Sequence, residues 1–597
     1  MAVDRADWFQ TSATNFAVHL APGEVTSVHI PLKAVRVGEH LLRVTATGSK
    51  LSDAVERIVR IEPTGTKINH LINDVLRQQF VDNFVIPSDA IPGSQKLVAR
   101  FYPSRFSEVV EGLDSIFAEP YGCFEQTSST TYPNVTALTY LQSVHKLTPE
   151  IEARAHRLIR DGYQRLLTFE VPGGGFEWFG RAPAHVGLTA YGVLEFTDMA
   201  QVTTVDKAMV KRTLEWLYSQ QKTDGSWREG AGLHGWAAGP MTAYVAWALA
   251  DAGERSPGLR KALDYLRSHA EETSSTYLKA VAANAFLAVD HSDEYGNRLV
   301  SMLRQSAIDS PDKTVHWSST GRSITYSYGP SLDVEVTALS AMALMKAGTA
   351  PETVRQSLAW LSRQKNASGN WDTTQATILA MRALIQGTGT ALGQEFTSSV
   401  TLKLNGETIK SFELNKQNSD VLKQIDLTKR LHPGENRVEI VQTPAGELSL
   451  QLDGVYWLPG QAPKDSAPMP NPLRFALNYD RTTLKVNDTL KCTGYVTTRS
   501  QPSIHMPTVD LRIPPGFEVD PTAFEALQTS GRIAKFEVHG SRVILYLREL
   551  VEGEPFRFEY SLRAKYPLHA QAPKSVVYEY YRPDNRAESR ETTLQVL

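Results

Sequence analysis

The chain has 597 residues, 42% of them hydrophobic and 21% charged, with a formal net charge of -3. That length predicts about four domains with room for a large core. The balanced charge singles out neither nucleic acid nor an anionic membrane as a partner, and no apolar run approaches the roughly 18 residues of a membrane span. Two cysteines, Cys123 and Cys492, cannot make a disulfide scaffold.

The first residues, Met1 to Arg5, lack a basic and then apolar leader. This reads as cytoplasmic, or equally as a fragment whose signal lay upstream. Residues 1–62 read as β, with strand-like Val25–Ile30 and Leu41–Ala46 and a turn at Gly38 between them. They suggest the trailing part of a β-sandwich. A second β segment follows, with Phe84–Ile86 and Leu97–Phe101, and runs to about residue 113.

The pattern then turns helical for some 275 residues. Thr148 and Pro149 open one helix as cap and first-turn proline, followed by Ile151, Ala155, Leu158 and Ile159 at helical spacing. A short core of Thr-Ala and apolar residues recurs at Thr136, Thr189, Thr242 and Thr337, more weakly at Thr377, with room for one more copy near Tyr277. Several copies follow a glycine and an aromatic: Gly175-Phe176, Gly225-Ser226-Trp227, Gly369-Asn370-Trp371. A repeat of about 50 residues is one helical hairpin, too small to bury its own apolar face. Six hairpins closing into an α/α toroid is the predicted arrangement, with an open solenoid as the alternative.

After Gly387 the chain returns to β: Val400–Leu404, a turn at Asn405-Gly406, Arg437–Val441 and Leu448–Leu452. Interrupted β on both sides of one helical block predicts that the helical domain is inserted in a single sandwich. Prolines between 460 and 472 mark a linker. The last block reads as a complete β-sandwich, with alternating Val509, Leu511, Ile513 and Phe556, Phe558, Tyr560, Leu562. Cys492 alternates with Leu490 and is expected to be a buried structural thiol.

The chemistry-bearing stretch is Tyr121-Gly122-Cys123-Phe124-Glu125-Gln126. At the mouth of a helix, residues three apart face the same way. The Cys123 sulfur and the Gln126 carbonyl can then condense, losing ammonia, into an internal thioester. A helix N-terminus stabilises thiolate, which makes the sulfur a good leaving group. Spacing alone also allows an ordinary buried cysteine. No metal-ligand spacing, phosphate loop or Ser-His-Asp arrangement stands out.

The hexapeptide resembles the thioester signature of the alpha-2-macroglobulin and complement thioester-protein family. Leu147–Ile151, Leu188–Tyr191, Val315–Trp317, Asp333–Ala338 and Tyr578–Tyr581 resemble the C-terminal third of that family in the same order. Phe124 stands where the animal proteins usually carry glycine; bacterial members tolerate a bulky residue there, so the resemblance implies a bacterial member. It implies these domains: 1–62, the end of a macroglobulin-like β domain; 63–113 and 390–460, the two halves of a CUB domain; 114–389, the thioester domain; 468–597, the receptor-binding-type macroglobulin domain. The family's N-terminal macroglobulin domains and bait region have no counterpart here, which implies a fragment or an unusually short protein.

The same resemblance places His234 in the loop of a catalytic histidine. There an imidazole takes the acyl group from the thioester and passes it to a hydroxyl; His185, the competing histidine, reads as structural. Trp178 or Phe179, with Tyr580 or Tyr581, are the implied shield against water. The implied function is a single-turnover covalent binder, an endopeptidase inhibitor or complement-like defence protein, rather than a turnover enzyme. Its partners would be hydroxyls or amines of proteases or surfaces, with a receptor for 468–597. It would work outside the cytoplasm or in the periplasm, with no cofactor beyond the internal cross-link. The alternatives are a non-covalent interaction module with Gln126 unreacted, and an α/α-toroid enzyme, whose Asp-rich or zinc motifs the chain lacks.

Overall fold

The computed structural model describes residues 1–19, 28, 30–63, 66–102, 120, 122–143, 147, 149–228, 238–270, 275–366, 370–371, 373–388, 397–415, 423–446, 448–459, 471–499, 503–580 and 582–597. The expected strand at Val25–Ile30 falls mostly outside these residues, as do His234, Tyr581, Thr148 and most of the 460–472 linker.

Eleven helices among the described residues build the helical block: α1 Phe124–Ser143, α2 Pro149–Leu167, α3 Val186–Met199, α4 Lys207–Ser219, α5 Ala238–Asp251, α6 Pro257–His269, α7 Thr276–Val289, α8 Glu294–Gln305, α9 Gly329–Lys346, α10 Pro351–Arg363 and α11 Thr374–Thr388. They alternate in character. On α4, only Met209, Thr213 and Leu217 are buried, one stripe spaced by four. On α5, ten consecutive residues from Met241 to Ala250 are buried, four of them alanine, as suits a helix packed on all sides. Each apolar-all-round helix packs on the next, α1 on α3, α3 on α5, then α7, α9 and α11, and α11 returns to α1. The ring is closed, so the block is an α/α toroid and the open solenoid is excluded.

The Thr-Ala repeat has a physical reason. Thr189, Thr242, Thr337 and Thr377 each accept the backbone N–H of an aromatic in the turn before their helix, at Phe176 (2.9 Å), Trp227 (3.0 Å), Trp317 (3.0 Å) and Trp371 (3.1 Å). The three tryptophans also donate Nε1–H to the last turn of the preceding outer helix, at Leu217, Leu303 and Leu361, each at 2.7 Å. The hydroxyl and the indole together satisfy buried backbone groups at each outer-to-inner crossing. Thr136 differs: its hydroxyl donates to Tyr132 of its own helix.

An ionic clasp lies inside the ring. Arg382 of α11 pairs with Asp251 of α5 and Asp198 of α3, and stacks over Trp247. Lys346 of α9 reaches Asp251 at 3.4 Å, and the Tyr132 hydroxyl of α1 donates to Asp198 at 2.7 Å. Five inner helices are thereby tied together.

The toroid is inserted in a β-sandwich. One sheet runs Glu407–Leu414, Ser398–Leu404, Gly434–Thr443, Gln79–Ile86; the other runs Lys423–Asp426, Lys96–Tyr102, Leu448–Leu458, Thr66–Leu76. Each sheet joins strands from before and after the helical block. Asn405 and Gly406 both hold positive φ, the type I′ hairpin expected of Asn-Gly. Asn73 donates to the carbonyls of Arg363 and Lys365, each at 2.7 Å, and Arg363 pairs with Asp74; these bonds tie the sandwich to the end of α10.

At the C-terminus a four-stranded sheet (Leu473–Tyr479, Thr489–Thr498, Phe556–Ala564, Phe517–Asp520) and a five-stranded one (Lys535–His539, Arg542–Tyr546, Pro507–Arg512, Val576–Glu579, Arg582–Glu588) bury a shared core. Cys492 is fully buried there beside Tyr560, and burial pushes its thiol up to about 12. Near the N-terminus, Gly38–Thr47 and Ser52–Ile61 pair as a hairpin with Ala2–Val3 alongside, leaving Leu41, Val55 and Ile58 exposed.

Candidate functional site

The Cys123 carbonyl accepts the N–H of Thr127 at 2.9 Å, the first bond of α1, so Cys123 is the N-cap residue and Gln126 is the third residue of the helix. Gln126 Oε1 reaches back and accepts the Cys123 N–H at 3.0 Å. This is the geometry of a capping box, in which the third side chain covers the N-cap amide and the N-cap side chain lies over the third residue. A cysteine replaces the usual serine or threonine. The box folds the Gln126 side chain back onto the Cys123 backbone, and the Cys123 N–H polarises the Gln126 carbonyl it binds.

Gly122 is required beside it. Its φ is +75°, and a Cβ there would lie 1.8 Å from Gln126 Oε1. Arg165 of α2 pins the turn, donating to the Gly122 carbonyl at 2.6 Å and to the Thr127 hydroxyl at 3.2 Å. Cys123 and Phe124 are fully buried and Gln126 is 6% exposed. Phe124 packs among Phe169, Phe176 and Tyr191. Its bulk is accommodated by Gly192 of α3, where a Cβ would come 3.2 Å from the Phe124 ring.

The next wall is Trp178, whose carbonyl accepts the Phe124 N–H at 2.8 Å. Its ring meets that of His185 edge-on, with centroids 4.2 Å apart. A small cleft opens here between Glu125, Trp178, His185, Tyr191, Ile324 and Tyr326. His185 was expected to be structural; it is the N-cap residue of α3, and its ring also lines this cleft. The 323–328 loop also bonds to Glu335 of α9, which is 1% exposed. Burial pushes its carboxyl up to about 7, against the hydroxyls of Ser327 and Ser323. Burial likewise raises Glu195 to about 8. Phe179 is half-buried, its N–H donated to Glu177 at 2.8 Å. Tyr580 follows the strand Val576–Glu579 in the C-terminal domain and donates its N–H to the Met506 carbonyl. Among the described residues no cluster of three His, Cys, Asp or Glu could hold a metal, and no helix is long and apolar enough to cross a membrane.

Sequence reasoning missed Arg165, Tyr191, Gly192 and the cleft. The capping-box spacing, Cys-x-x-Gln just before a helical run, was the available signal for the geometry at Cys123. Nothing in the sequence links Trp178 to Phe124.

The A-macroglobulin TED domain matches residues 98–386, and the A-macroglobulin receptor binding domain matches residues 502–590. Thioester-containing protein 1 of Anopheles gambiae, allele R1, is 25% identical over 95% of this chain, and allele S1 is 24% identical over the same share. The chain spans 42% of the length of these relatives. Among solved structures, native alpha-2-macroglobulin from Escherichia coli, from domain MG7 to the C-terminus, aligns over 100% of this chain and 93% of that one, with a TM-score of 0.66 at 18% identity. Salmonella alpha-2-macroglobulin reacted with methylamine aligns over 100% of this chain and 38% of that one, with a TM-score of 0.65 at 18% identity. With a toroid inserted in a β-sandwich, and matches to both of these domains, the chain belongs to the alpha-macroglobulin family.

Proposed function

We propose that the chain is the thioester-bearing part of a single-turnover covalent trap. The Cys123 thiol condenses with the Gln126 amide and expels ammonia. A hydroxyl or amine on a protease or target surface then attacks the acyl carbon, becomes joined to Gln126 and frees the Cys123 thiol. The observation that carries this reading is the Cys123 N–H bond to Gln126 Oε1 on a buried helix start. It holds the acyl group on the backbone of the residue that carries the sulfur and polarises it, while burial keeps water away and the helix N-terminus favours the leaving thiolate. That the Salmonella relative was studied after reaction with methylamine is consistent with attack by a small amine.

In this reading His234 passes the acyl group to a hydroxyl, Trp178 and Phe179 shield the thioester together with Tyr580 or Tyr581, and residues 468–597 offer a receptor-type surface. The outcome is endopeptidase inhibition or covalent tethering to a surface, outside the cytoplasm or in the periplasm, with the internal cross-link as the only special group. Intact mass tests it. The native chain should weigh one ammonia less than its sequence, and methylamine should add its own mass and release one titratable thiol. A mass equal to the sequence mass, with no amine uptake, refutes it.

A further inference from the structure

We infer that the cleft beside the Cys123 turn is the acceptor subsite of the thioester, and that His185 takes the proton from the attacking nucleophile; this rests on the thioester reading above. The cleft is attached to the reactive turn, because its wall residue Trp178 accepts the Phe124 N–H and Glu125 contributes from α1 itself. Two residues of its lining carry buried polar groups that are unpaired: the Tyr191 hydroxyl, on a residue 2% exposed, and Trp178 Nε1 have no hydrogen-bond partner among the described residues. Buried donors are left in that state where a ligand or water supplies the acceptor. The His185 ring is held by Trp178, and its backbone by an N–H bond to the Phe176 carbonyl and by the Thr189 hydroxyl, which donates to the His185 carbonyl at 2.6 Å.

A neutral imidazole is the side chain best matched to accept a proton near neutral pH. The step balances without a co-reactant. The lone pair of an amine adds to the Gln126 acyl carbon, and its N–H proton passes to the His185 ring. The carbon–sulfur bond breaks with its electrons on the Cys123 sulfur, and the imidazolium returns the proton to that thiolate. The products are an amide at Gln126 and the Cys123 thiol. Glu125 from α1, Tyr191 from α3 and Tyr326 from the 323–328 loop face the same cleft, and Glu177 and Arg181 lie on the segment leading to His185.

The test uses the full chain with its thioester verified by mass. Thiol release is followed with methylamine and with hydroxylamine, each of which gives up an N–H proton as it forms its amide at Gln126. In His185→Ala and His185→Gln, release by both nucleophiles should fall by about 100-fold or more. Added imidazole should restore His185→Ala. Wild-type rates in these variants, or losses that imidazole does not rescue, overturn the role of His185. If the histidine variants fail to close the thioester, Tyr191→Phe decides. It keeps the ring and removes the hydroxyl, so it should retain the mass deficit and slow methylamine release severalfold; an unchanged rate overturns the subsite. A wild-type mass equal to the sequence mass removes the thioester reading itself, and the subsite with it.

Discussion

Replacing Gly122 by alanine should leave the toroid folded and prevent the Cys123/Gln126 pair from closing. Two costs follow from the geometry. The residue holds φ +75°, where an L side chain costs about 1–2 kcal/mol. Its Cβ would also lie 1.8 Å from Gln126 Oε1 and 2.5 Å from Cδ. The backbone cannot yield easily, because Arg165 pins the Gly122 carbonyl at 2.6 Å, so the Gln126 side chain must swing out. That ends its bond from the Cys123 N–H, worth about 1 kcal/mol. The total of about 2–3 kcal/mol is well inside the roughly 5–15 kcal/mol that holds a domain, and it corresponds to a melting shift of under about 10 °C. The chemical effect is larger than the energetic one, since the acyl group is no longer held on Cys123. The assay is intact mass before and after methylamine, alongside thermal unfolding. Gly122→Ala should weigh its full sequence mass, take up no amine and unfold cooperatively. A variant one ammonia light that takes up methylamine at the wild-type level would refute the reasoning.

The clasp makes Arg382→Ala costly: it leaves Asp198 buried without its cation and Asp251 with Lys346 alone, an expected loss of about 3 kcal/mol read from the urea midpoint. Against burial, Arg382 and Lys346 together hold the Asp251 carboxyl below its ordinary value, so this contribution is present above the unfolded carboxylate pKa and is lost as pH falls through the folded one; wild type should loosen at acid pH and Arg382→Ala, which keeps only Lys346, should show a weaker dependence. Glu335 has the opposite sign. Its folded pKa of about 7 is raised above the ordinary 4.5, so stability declines as pH rises between those values, and Glu335→Gln should gain on wild type at about pH 8 and match it at about pH 4 in denaturant titrations. Thr242→Val keeps shape but strands the buried Trp227 N–H, for an expected loss of about 1–3 kcal/mol by the same titration. Cys492→Ser should leave amine-released thiol unchanged, because the Cys492 thiol is buried and raised to about 12, whereas Cys123→Ser should abolish it; thiol titration with and without methylamine separates the two.

Much of this architecture is written locally. The 3.6-residue periodicity, the recurring Thr-Ala core and the Gly-aromatic turns specify paired inner and outer helices, because each hairpin must bury a face it cannot cover alone. Strand alternation on both sides of the helical block specifies the insertion. Cys-x-x-Gln before a helical run specifies a capping box, since N-cap and third residue meet by helix geometry alone. Closure of the ring was decided by tertiary structure. It depends on α11 meeting α1 across the whole block, and on Arg382 finding two carboxylates from distant helices, which no short spacing encodes. The fit of Phe124 depends on Gly192, and the cleft depends on Trp178, His185 and the 323–328 loop arriving beside Glu125. Those contacts arise from packing between elements far apart in the chain, where sequence pattern carries no register.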